Sequence, residues 1–249
     1  MPSLRVIGPG RAGGALEAAL GSVGWRVEPP VRRGDDLAGA AWGVDLLVVA
    51  TPDARIGEVA SAVTPVEGTV VAHLAGAEGL DALGAHPRRA ALHPLVALPD
   101  PTVGARRLAG GAWFAVAGDP PEALAVVEGA VVDLGGRSFR IADDARAEYH
   151  AAAVIASNHL VALLGQAERV AAAADVPLDA YLDLVRATVE NVAELGPAAA
   201  LTGPAARGDW GTIERHRAAL AADELEAYDA MVRAARRLVD DPPRDRPGP

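Results

Sequence analysis

The chain has 249 residues, 51% of them hydrophobic, and a formal net charge of −10 at pH 7. It contains no cysteine, and all 23 of its basic residues are arginine. These counts allow one large or two smaller domains with a sizeable core, and they exclude thiol catalysis, cysteine-ligated zinc and lysine Schiff-base chemistry. The acidic balance also argues against a nucleic-acid partner.

The first predicted strand leads directly into a glycine-rich turn. Residues 8–13 read Gly-Pro-Gly-Arg-Ala-Gly, and a helix-compatible stretch follows them. In this G-x-G-x-x-G pattern, Gly8 permits the tight turn, Gly10 lets the backbone approach a pyrophosphate, and Gly13 lets the helix pack close to the sheet. The free N–H groups of the helix start then face the phosphate. The pattern predicts a dinucleotide-binding loop of Gly8, Gly10, Arg11, Ala12 and Gly13; the alternative is a plain glycine-rich turn.

Short apolar runs alternate with helix-compatible stretches over the first part of the chain. Several runs are apolar on both faces, as buried parallel strands require. The predicted strands cover residues 4–7, 25–28, 46–50, 69–73, 90–92, 113–117 and 138–141. The predicted helices between them cover residues 11–22, 35–41, 55–63 and 122–134. We predict an α/β fold, a Rossmann-type doubly wound sheet over residues 1–142.

Only helical periodicity follows that sheet. Predicted helices cover residues 144–174 and 178–195, and two more begin near Asp209 and at Asp223. The run Thr202-Gly203-Pro204 predicts a turn that leads into a short helix. We therefore predict a smaller all-helical domain over residues 143–240. Residues 241–249 are rich in proline and charge and predict a disordered tail.

The chain shows no sign of membrane targeting. It begins without a basic leader and a long apolar stretch, and its most apolar segment, residues 151–164, is too short to span a bilayer. We expect a soluble cytoplasmic protein with no membrane partner.

The end of the second predicted strand indicates which nicotinamide cofactor is bound. NAD-binding chains usually carry an acidic residue about twenty positions after the glycines, but here Arg32 and Arg33 occupy that position. Two guanidinium groups suit the 2′-phosphate of NADP(H). Glu28 is the competing NAD-type candidate, and a solvated surface pair is the other interpretation of the two arginines. NADP(H) is the predicted cofactor.

The next two strands end in further candidate ligand residues. Ligands of doubly wound sheets bind at the carboxyl ends of the strands. We therefore expect Ala50, Thr51 and Pro52 to border the ribose and nicotinamide, and His73 to lie near the nicotinamide. Asp53 has a simpler role as the cap of the next helix.

The whole layout resembles short reductases in which a Rossmann domain precedes an all-helical domain. Pyrroline-5-carboxylate reductase, ketopantoate reductase and the 6-phosphogluconate dehydrogenase group are of this kind. The chain resembles most a bacterial family of Rossmann-like oxidoreductases whose C-terminal part is a domain of unknown function (number 2520). The motifs that carry the resemblance are residues 8–13, 50–53, 73–76, 93–95, 149–152, 157–159, 190–191 and 201–209.

This resemblance covers the chain nearly end to end. It implies an NADP-linked reductase fold and a homodimer built through the helical domain, but it supplies no substrate. Family members often carry a serine within the motif around residues 73–76, where this chain has Ala75. Any serine-dependent contact there is therefore in doubt.

The predicted catalytic residues come from the helical part and from one loop. At α-helical spacing His150, Ser157 and Asn158 share one face of the long predicted helix. One hypothesis is that His150 donates a proton while Asn158 and Ser157 contact the substrate; the alternative is a hydrogen-bond network between helices. His93 is the third catalytic candidate, because an imidazole with a pKa near neutrality suits acid–base work, although a structural loop histidine is equally compatible.

Two residues further along the chain complete the candidate substrate site. Asn191 shares a helix face with Thr188, as a cleft residue or as part of a polar core pair, and Arg207 could hold a substrate carboxylate. Asp209 is better explained as a helix cap. No metal site is predicted.

Two functions remain open from the sequence. The first is an NADPH-dependent oxidoreductase that reduces a small carbonyl or imine compound at the interdomain cleft. The second is a regulator or sensor that binds NADP(H) without turnover.

Overall fold

The computed structural model describes residues 1–240, so the predicted tail over residues 241–249 lies outside the described residues. The chain divides into two compact units, Met1–Ser157 and Asn158 onward. Helix Arg146–Val154 therefore belongs with the first unit, and the predicted boundary after residue 142 lies earlier in the chain than this division.

The first unit is built on a single sheet. Within the described residues seven strands pair in the order β2-β1-β3-β4-β5-β6-β7. Strands β1 to β5 are parallel, β6 is antiparallel to β5, and β7 is parallel to β6. The strands are β1 Ser3–Ile7, β2 Arg26–Val27, β3 Leu46–Val49, β4 Val70–His73, β5 Arg89–Pro94, β6 Trp113–Asp119 and β7 Arg137–Arg140. All seven predicted strands are confirmed.

The central strands are buried on both faces. In β3, Leu46 and Val48 join one hydrophobic cluster, whereas Leu47 and Val49 join another. Alternate side chains of a strand point to opposite faces, so the sheet has a core on each side, as in a doubly wound fold. The predicted fold class is confirmed.

Helices cover these two faces. Those of the first unit are α1 Arg11–Ser22, α2 Ile56–Ser61, α3 Pro101–Leu108, α4 Pro121–Asp133 and α5 Arg146–Val154. Helix α3 was not predicted, and it packs against α1. A Cβ on Gly104 of α3 would lie 2.7 Å from the Cβ of Ala15, so this close approach requires glycine.

Two local predictions were wrong. Residues 35–41 form turns rather than a helix, because the carboxylates of Asp35 and Asp36 accept hydrogen bonds from the backbone N–H groups of Arg32 and Ala38. Asp53 lies in the short 3₁₀ turn Asp53–Arg55, and α2 begins without a side-chain cap.

The second unit is helical throughout its described residues. It contains α6 Leu160–Ala172, α7 Asp179–Ala200, α8 Pro204–Arg207, α9 Trp210–Ala219 and α10 Leu225–Asp240. Gly196 interrupts α7 with a φ of 77°. Asp209 caps α9 by accepting a hydrogen bond from the backbone N–H of Thr212 (3.0 Å), as predicted.

The long predicted helix over residues 144–174 is not a regular α-helix. Between α5 and α6, residues Ile155–His159 form a π-helical turn. A π turn holds more residues than an α turn, so the spacing that aligned His150 with Ser157 and Asn158 does not apply across it. No helix of residues 1–240 is long and apolar enough to cross a membrane.

Candidate functional site

The strand register brings the predicted ligand residues to one edge of the sheet. Ile7 pairs with Val49, Val49 with His73, and His73 with Ala91. The segments after β1, β3 and β4 and the end of β5 therefore meet at the carboxyl edge of four parallel strands. Ligands of doubly wound sheets bind at this edge.

The glycine-rich loop at this edge has the geometry that its sequence predicts. Gly8 has a φ of 87°, and a Cβ there would lie 2.9 Å from the carbonyl oxygen of Ala50. A Cβ on Gly13 would lie 2.5 Å from the carbonyl oxygen of Gly8. In contrast, a Cβ on Gly10 would meet no atom within 4 Å. The space beside Gly10, at the N-terminus of α1, can therefore accommodate a pyrophosphate between Gly10, Arg11 and Ala12.

Arg32 and Arg33 lie beside this loop. Val31 forms a parallel bridge with Ile7, and its carbonyl oxygen accepts a hydrogen bond from the N–H of Gly8 (3.0 Å). The two exposed arginines follow directly after this bridge. Glu28, the competing candidate, forms an ion pair with Arg26 (2.9 Å).

The segment after β3 lies against the loop. The N–H of Ala50 donates to the carbonyl oxygen of Ile7 (2.9 Å), and the Thr51 Cγ2 atom lies 3.4 Å from a Cβ built on Gly8. The hydroxyl of Thr51 is buried and has no hydrogen-bond partner. Pro52 follows and accepts a hydrogen bond from the N–H of Arg55. The Thr51 hydroxyl is therefore a buried polar group without a partner among the described residues.

His73 ends β4 at the same edge, but its side chain is 0% exposed. Its Nε2 lies 3.2 Å from the carbonyl oxygen of Gly79, and its Nδ1 is buried without a partner. Burial lowers the pKa of His73 to about 4, and the nearby guanidinium of Arg146 acts in the same direction. The imidazole is therefore neutral at neutral pH.

His93 lies in a cluster of rings near the end of β5, two residues after Ala91, which pairs with His73 of β4. Its Nδ1 lies 2.5 Å from the hydroxyl of Tyr149, and its ring centroid lies 6.0 Å from that of His150. A Cβ on Gly76 would lie 2.7 Å from Cδ2 of His150 and 3.0 Å from Nε2 of His93. The structure thus brings together two predicted catalytic residues, His93 and His150.

The expected pKa of His93 was wrong. Burial, His150 and Arg146 together lower the pKa of His93 to about 4 instead of leaving it near neutrality. Burial also raises the pKa of Tyr149 to about 12, although Arg146 opposes this effect. At neutral pH, His93 is a neutral hydrogen-bond partner and Tyr149 carries its proton.

A buried arginine adjoins these rings. Arg146 begins α5 and its side chain is 1% exposed. Its Nε donates to Oδ1 of Asp143 (2.7 Å), while Oδ2 of Asp143 accepts from the N–H of Leu80 (3.1 Å). The two Nη groups of Arg146 are buried and have no partner. A cation with unused donors therefore lies inside the first unit.

The other predicted site residues lie on exposed helical surface. Ser157 donates to the carbonyl oxygen of Ala153 (2.7 Å), and both it and Asn158 lie in the π turn. Asn191 is exposed on α7, and Arg207 is exposed at the end of α8. No group of three or more potential metal ligands occurs among residues 1–240.

Sequence reasoning did not assign Tyr149, Arg146 and Asp143 to the site. Tyr149 and His93 are 56 residues apart, so their contact depends on the fold. One local pattern could have indicated Arg146 and Tyr149: they are three residues apart on one helix, and the predicted His150 follows directly.

One family model matches part of the chain. Residues 112–235, just under half of the chain, match the model described as "Domain of unknown function (DUF2520)". Among curated proteins, none matches this sequence.

Solved structures share the fold at low sequence identity. A Bacteroides fragilis protein named "putative NADP oxidoreductase" has a TM-score of 0.79 at 23% identity, covering 95% of this chain and 98% of that chain. An Aspergillus terreus reductive aminase in complex with NADPH and ethyl-5-oxohexanoate has a TM-score of 0.71 at 18% identity, with coverages of 95% and 94%. The pyrroline carboxylate reductase of Plasmodium falciparum with NADP bound has a TM-score of 0.62 at 12% identity, with coverages of 96% and 98%. This chain therefore has the fold of these proteins, a Rossmann-like sheet followed by a helical region.

Proposed function

We propose that the chain is an NADPH-dependent oxidoreductase that reduces a small carbonyl or imine compound at the carboxyl edge of β1, β3, β4 and β5. One observation carries this proposal: the strand register joins a glycine loop with open space at Gly10 to the cluster of His93, Tyr149 and His150. A nucleotide-binding loop and proton-bearing groups on one edge are what a nicotinamide-dependent reductase requires.

The residues at the edge fit NADP(H). Gly10, Arg11 and Ala12 would hold the pyrophosphate through backbone N–H groups, and Arg32 and Arg33 would pair with the 2′-phosphate. Bound NADPH would supply a hydride to the substrate. The solved structures of the same fold that contain NADPH or NADP support this choice.

The proposal also includes a family, a homodimer, substrate-contacting residues and a location. Membership of the DUF2520 family is supported by the model match over residues 112–235. A homodimer through the helical unit is supported by exposed apolar side chains on α6 and α7, namely Val161, Leu184, Val189 and Leu195. The roles proposed for Asn158, Ser157, Asn191 and Arg207 toward the substrate, and a cytoplasmic location, rest on the sequence.

The proposal is tested by Gly10→Ala, with NADPH binding measured by calorimetry. A methyl group at Gly10 meets open space in the protein, so the variant should fold with an unchanged melting temperature. NADPH affinity should fall by roughly tenfold or more, because the methyl group would occupy the space of the pyrophosphate. Gly129→Ala is the matched control, since a Cβ there also meets no atom within 4 Å. Equal NADPH affinity in both variants and the wild type would refute the proposal.

The cofactor preference is tested by the double variant Arg32→Ala/Arg33→Ala. Its ratio of NADPH to NADH affinity should fall, because the 2′-phosphate loses its guanidinium partners. The control is Arg140→Ala. This variant removes an exposed arginine of edge strand β7 that forms an ion pair with Glu128. An unchanged ratio in the double variant would exclude these arginines as the 2′-phosphate site.

Turnover separates an enzyme from a sensor. Purified protein is incubated with NADPH and a panel of 2-oxoacids, ketopantoate, simple ketones and cyclic imines, and absorbance at the NADPH band is followed. Tight NADPH binding without loss of absorbance across the panel would favour the regulatory alternative.

A further inference from the structure

The hydroxyl of Tyr149 is held in a fixed position at the proposed site. The ring of Tyr149 makes edge-to-face contacts with His93 (centroids 5.5 Å apart) and with Phe139 (5.6 Å). Its hydroxyl lies 2.5 Å from Nδ1 of His93, while the residue as a whole is only half-buried. This restrained phenol therefore lies next to His93 of β5, and its residue is not fully enclosed by the protein.

The electrostatic environment of this hydroxyl is set by Arg146. The guanidinium acts on His73, His93 and Tyr149, and in each case it favours the form with less positive charge. Its counter-ion Asp143 is bound through Nε alone, and the Asp143 side chain is 47% exposed. Both Nη groups remain buried without partners. At His73 the carboxylates of Asp53 and Asp143 oppose the guanidinium, whereas at Tyr149 the acting charge is that of Arg146. The environment of the Tyr149 hydroxyl is therefore electropositive.

Such a potential distinguishes between the two substrate classes left open above. Reduction of a ketone develops negative charge on oxygen, which a nearby guanidinium stabilises. Reduction of an imine at neutral pH proceeds through its protonated, cationic form, which the same guanidinium repels. Resting on the proposed function, we infer that the substrate is a carbonyl compound, that Tyr149 donates the proton to its oxygen, and that Arg146 is a positioning residue that favours the oxyanion over a cationic imine.

The step balances as an ordinary carbonyl reduction. Bound NADPH would supply the hydride, with its electron pair, for the new C–H bond at the carbonyl carbon. The π electrons of the C=O bond move to oxygen, and that oxygen takes the proton as the O–H bond of Tyr149 breaks. The phenolate left behind accepts a hydrogen bond from Nδ1–H of His93, lies in the field of Arg146, and regains a proton from water.

The first test compares Tyr149→Phe with Tyr228→Phe. Tyr228 forms a similar pair with His216, whose Nδ1 lies 2.7 Å from its hydroxyl, so the second variant is a matched control. With a ketone from the panel above, Tyr149→Phe should lose about 100-fold or more in kcat with little change in KM or NADPH affinity, and Tyr228→Phe should not. If Tyr149→Phe keeps its kcat, or if only His150→Ala abolishes turnover, the assignment of Tyr149 is overturned.

The second test measures binding rather than turnover. Cyclohexanol and piperidine resemble the products of ketone and cyclic imine reduction, and piperidine is cationic at neutral pH. Calorimetry in the presence of NADP⁺ should give the wild type a preference of roughly tenfold for cyclohexanol. Arg146→Met should lose this preference and Arg146→Lys should keep most of it. Equal affinities of the two probes for the wild type, or the same preference in Arg146→Met, would overturn the role of Arg146.

Failure of this inference is distinguishable from failure of the proposed function. Loss of the proposed function appears as absent NADPH binding in the wild type and no effect of Gly10→Ala. Loss of the inference appears as intact NADPH binding and turnover with an active Tyr149→Phe variant, or with faster reduction of cyclic imines than of ketones.

Discussion

The protein contains two tyrosine–histidine pairs that differ in their surroundings. In both pairs the tyrosine hydroxyl lies within hydrogen-bond distance of the histidine Nδ1, and in both the rings meet edge to face. His216 is exposed, and the adjacent Arg217 forms ion pairs with Glu214 and Asp229 (both 3.1 Å). His93 and Tyr149 instead adjoin a buried arginine with two free Nη groups. The pair of His216 and the half-buried Tyr228 thus lies beside an arginine with two anionic partners, whereas the pair of His93 and Tyr149 lies beside a buried cation.

The two pairs therefore differ in the burial of His93 and of the adjacent Arg146 and not in residue identity. Exposed ion pairs are screened by water and contribute little, whereas a buried charge acts strongly on its neighbours. Burial lowers the pKa of His93 to about 4 and raises that of Tyr149 to about 12. Three measurements test whether the two environments differ in this way.

The largest effect is expected from acid. The folded-state pKa of His73 and of His93 is about 4, below the value of about 6.5 in the unfolded chain. Between these pH values the unfolded chain therefore binds more protons than the folded protein. The contribution of the two neutral histidines to the free energy of unfolding is complete above about pH 6.5 and is lost as the pH falls toward 4. For the enclosed His73 the loss should reach roughly 3 kcal/mol. Urea unfolding of the wild type and of His73→Asn and His93→Asn at several pH values measures it; slopes that are identical in all three proteins would contradict the assignment.

A smaller effect is expected from the counter-ions of the two arginines. Asp143→Asn leaves the buried Arg146 without an anion and should lower the free energy of unfolding by about 2 kcal/mol, less than for a fully buried pair because Asp143 is half-exposed. Asp229→Asn removes one partner of Arg217, whose side chain is 41% exposed and keeps its ion pair with Glu214, and this variant is the control, with no change beyond the error of urea unfolding. Equal losses in both variants would show that the two arginines have similar environments.

The smallest effect is expected at Phe139. Phe139→Leu removes the ring that contacts the edge of Tyr149 and should cost about 1 kcal/mol of unfolding free energy. Because the phenol then has more freedom, kcat should fall a few-fold while NADPH affinity stays unchanged. Calorimetry measures the unfolding free energy and the NADPH affinity, and steady-state kinetics on the same preparation measures kcat. A variant that keeps its kcat despite the loss of stability would show that Phe139 does not position Tyr149.

The sheet could be predicted because its signals are local. Parallel strands with a core on both faces appear as continuous apolar runs, and the glycine loop combines its turn and packing requirements within six residues. Elements that depend on competition or on tertiary contact were not predictable in this way. Asp35 and Asp36 supply turn hydrogen bonds in place of a helix, and α3 contains Gly104, which is explained only by its contact with α1.

In the candidate site, too, the features set by a local motif could be predicted and those set by tertiary contacts could not. The roles of Gly8 and Gly13 follow from the motif, and the geometry at both residues agrees with it. The contact of His93 with Tyr149 and the burial of Arg146 are tertiary features, which the sequence does not encode as a local pattern. A pKa near neutrality was expected for His93. Desolvation lowers it to about 4, and desolvation depends on packing that the sequence does not show.

The two prolines that interrupt the β2 line have a consequence for redesign. Pro29 and Pro30 cannot donate to the ladder, so pairing with β1 stops after Glu28 and resumes at Val31, just before the exposed arginines. Residues 32–36 then form a short exposed loop in which the Asp35 carboxylate accepts a hydrogen bond from the N–H of Arg32. This loop is remote in sequence from the ring cluster around His93. Replacing Arg32 by aspartate and Arg33 by a neutral residue should therefore shift the cofactor preference toward NADH without a change at His93 and Tyr149.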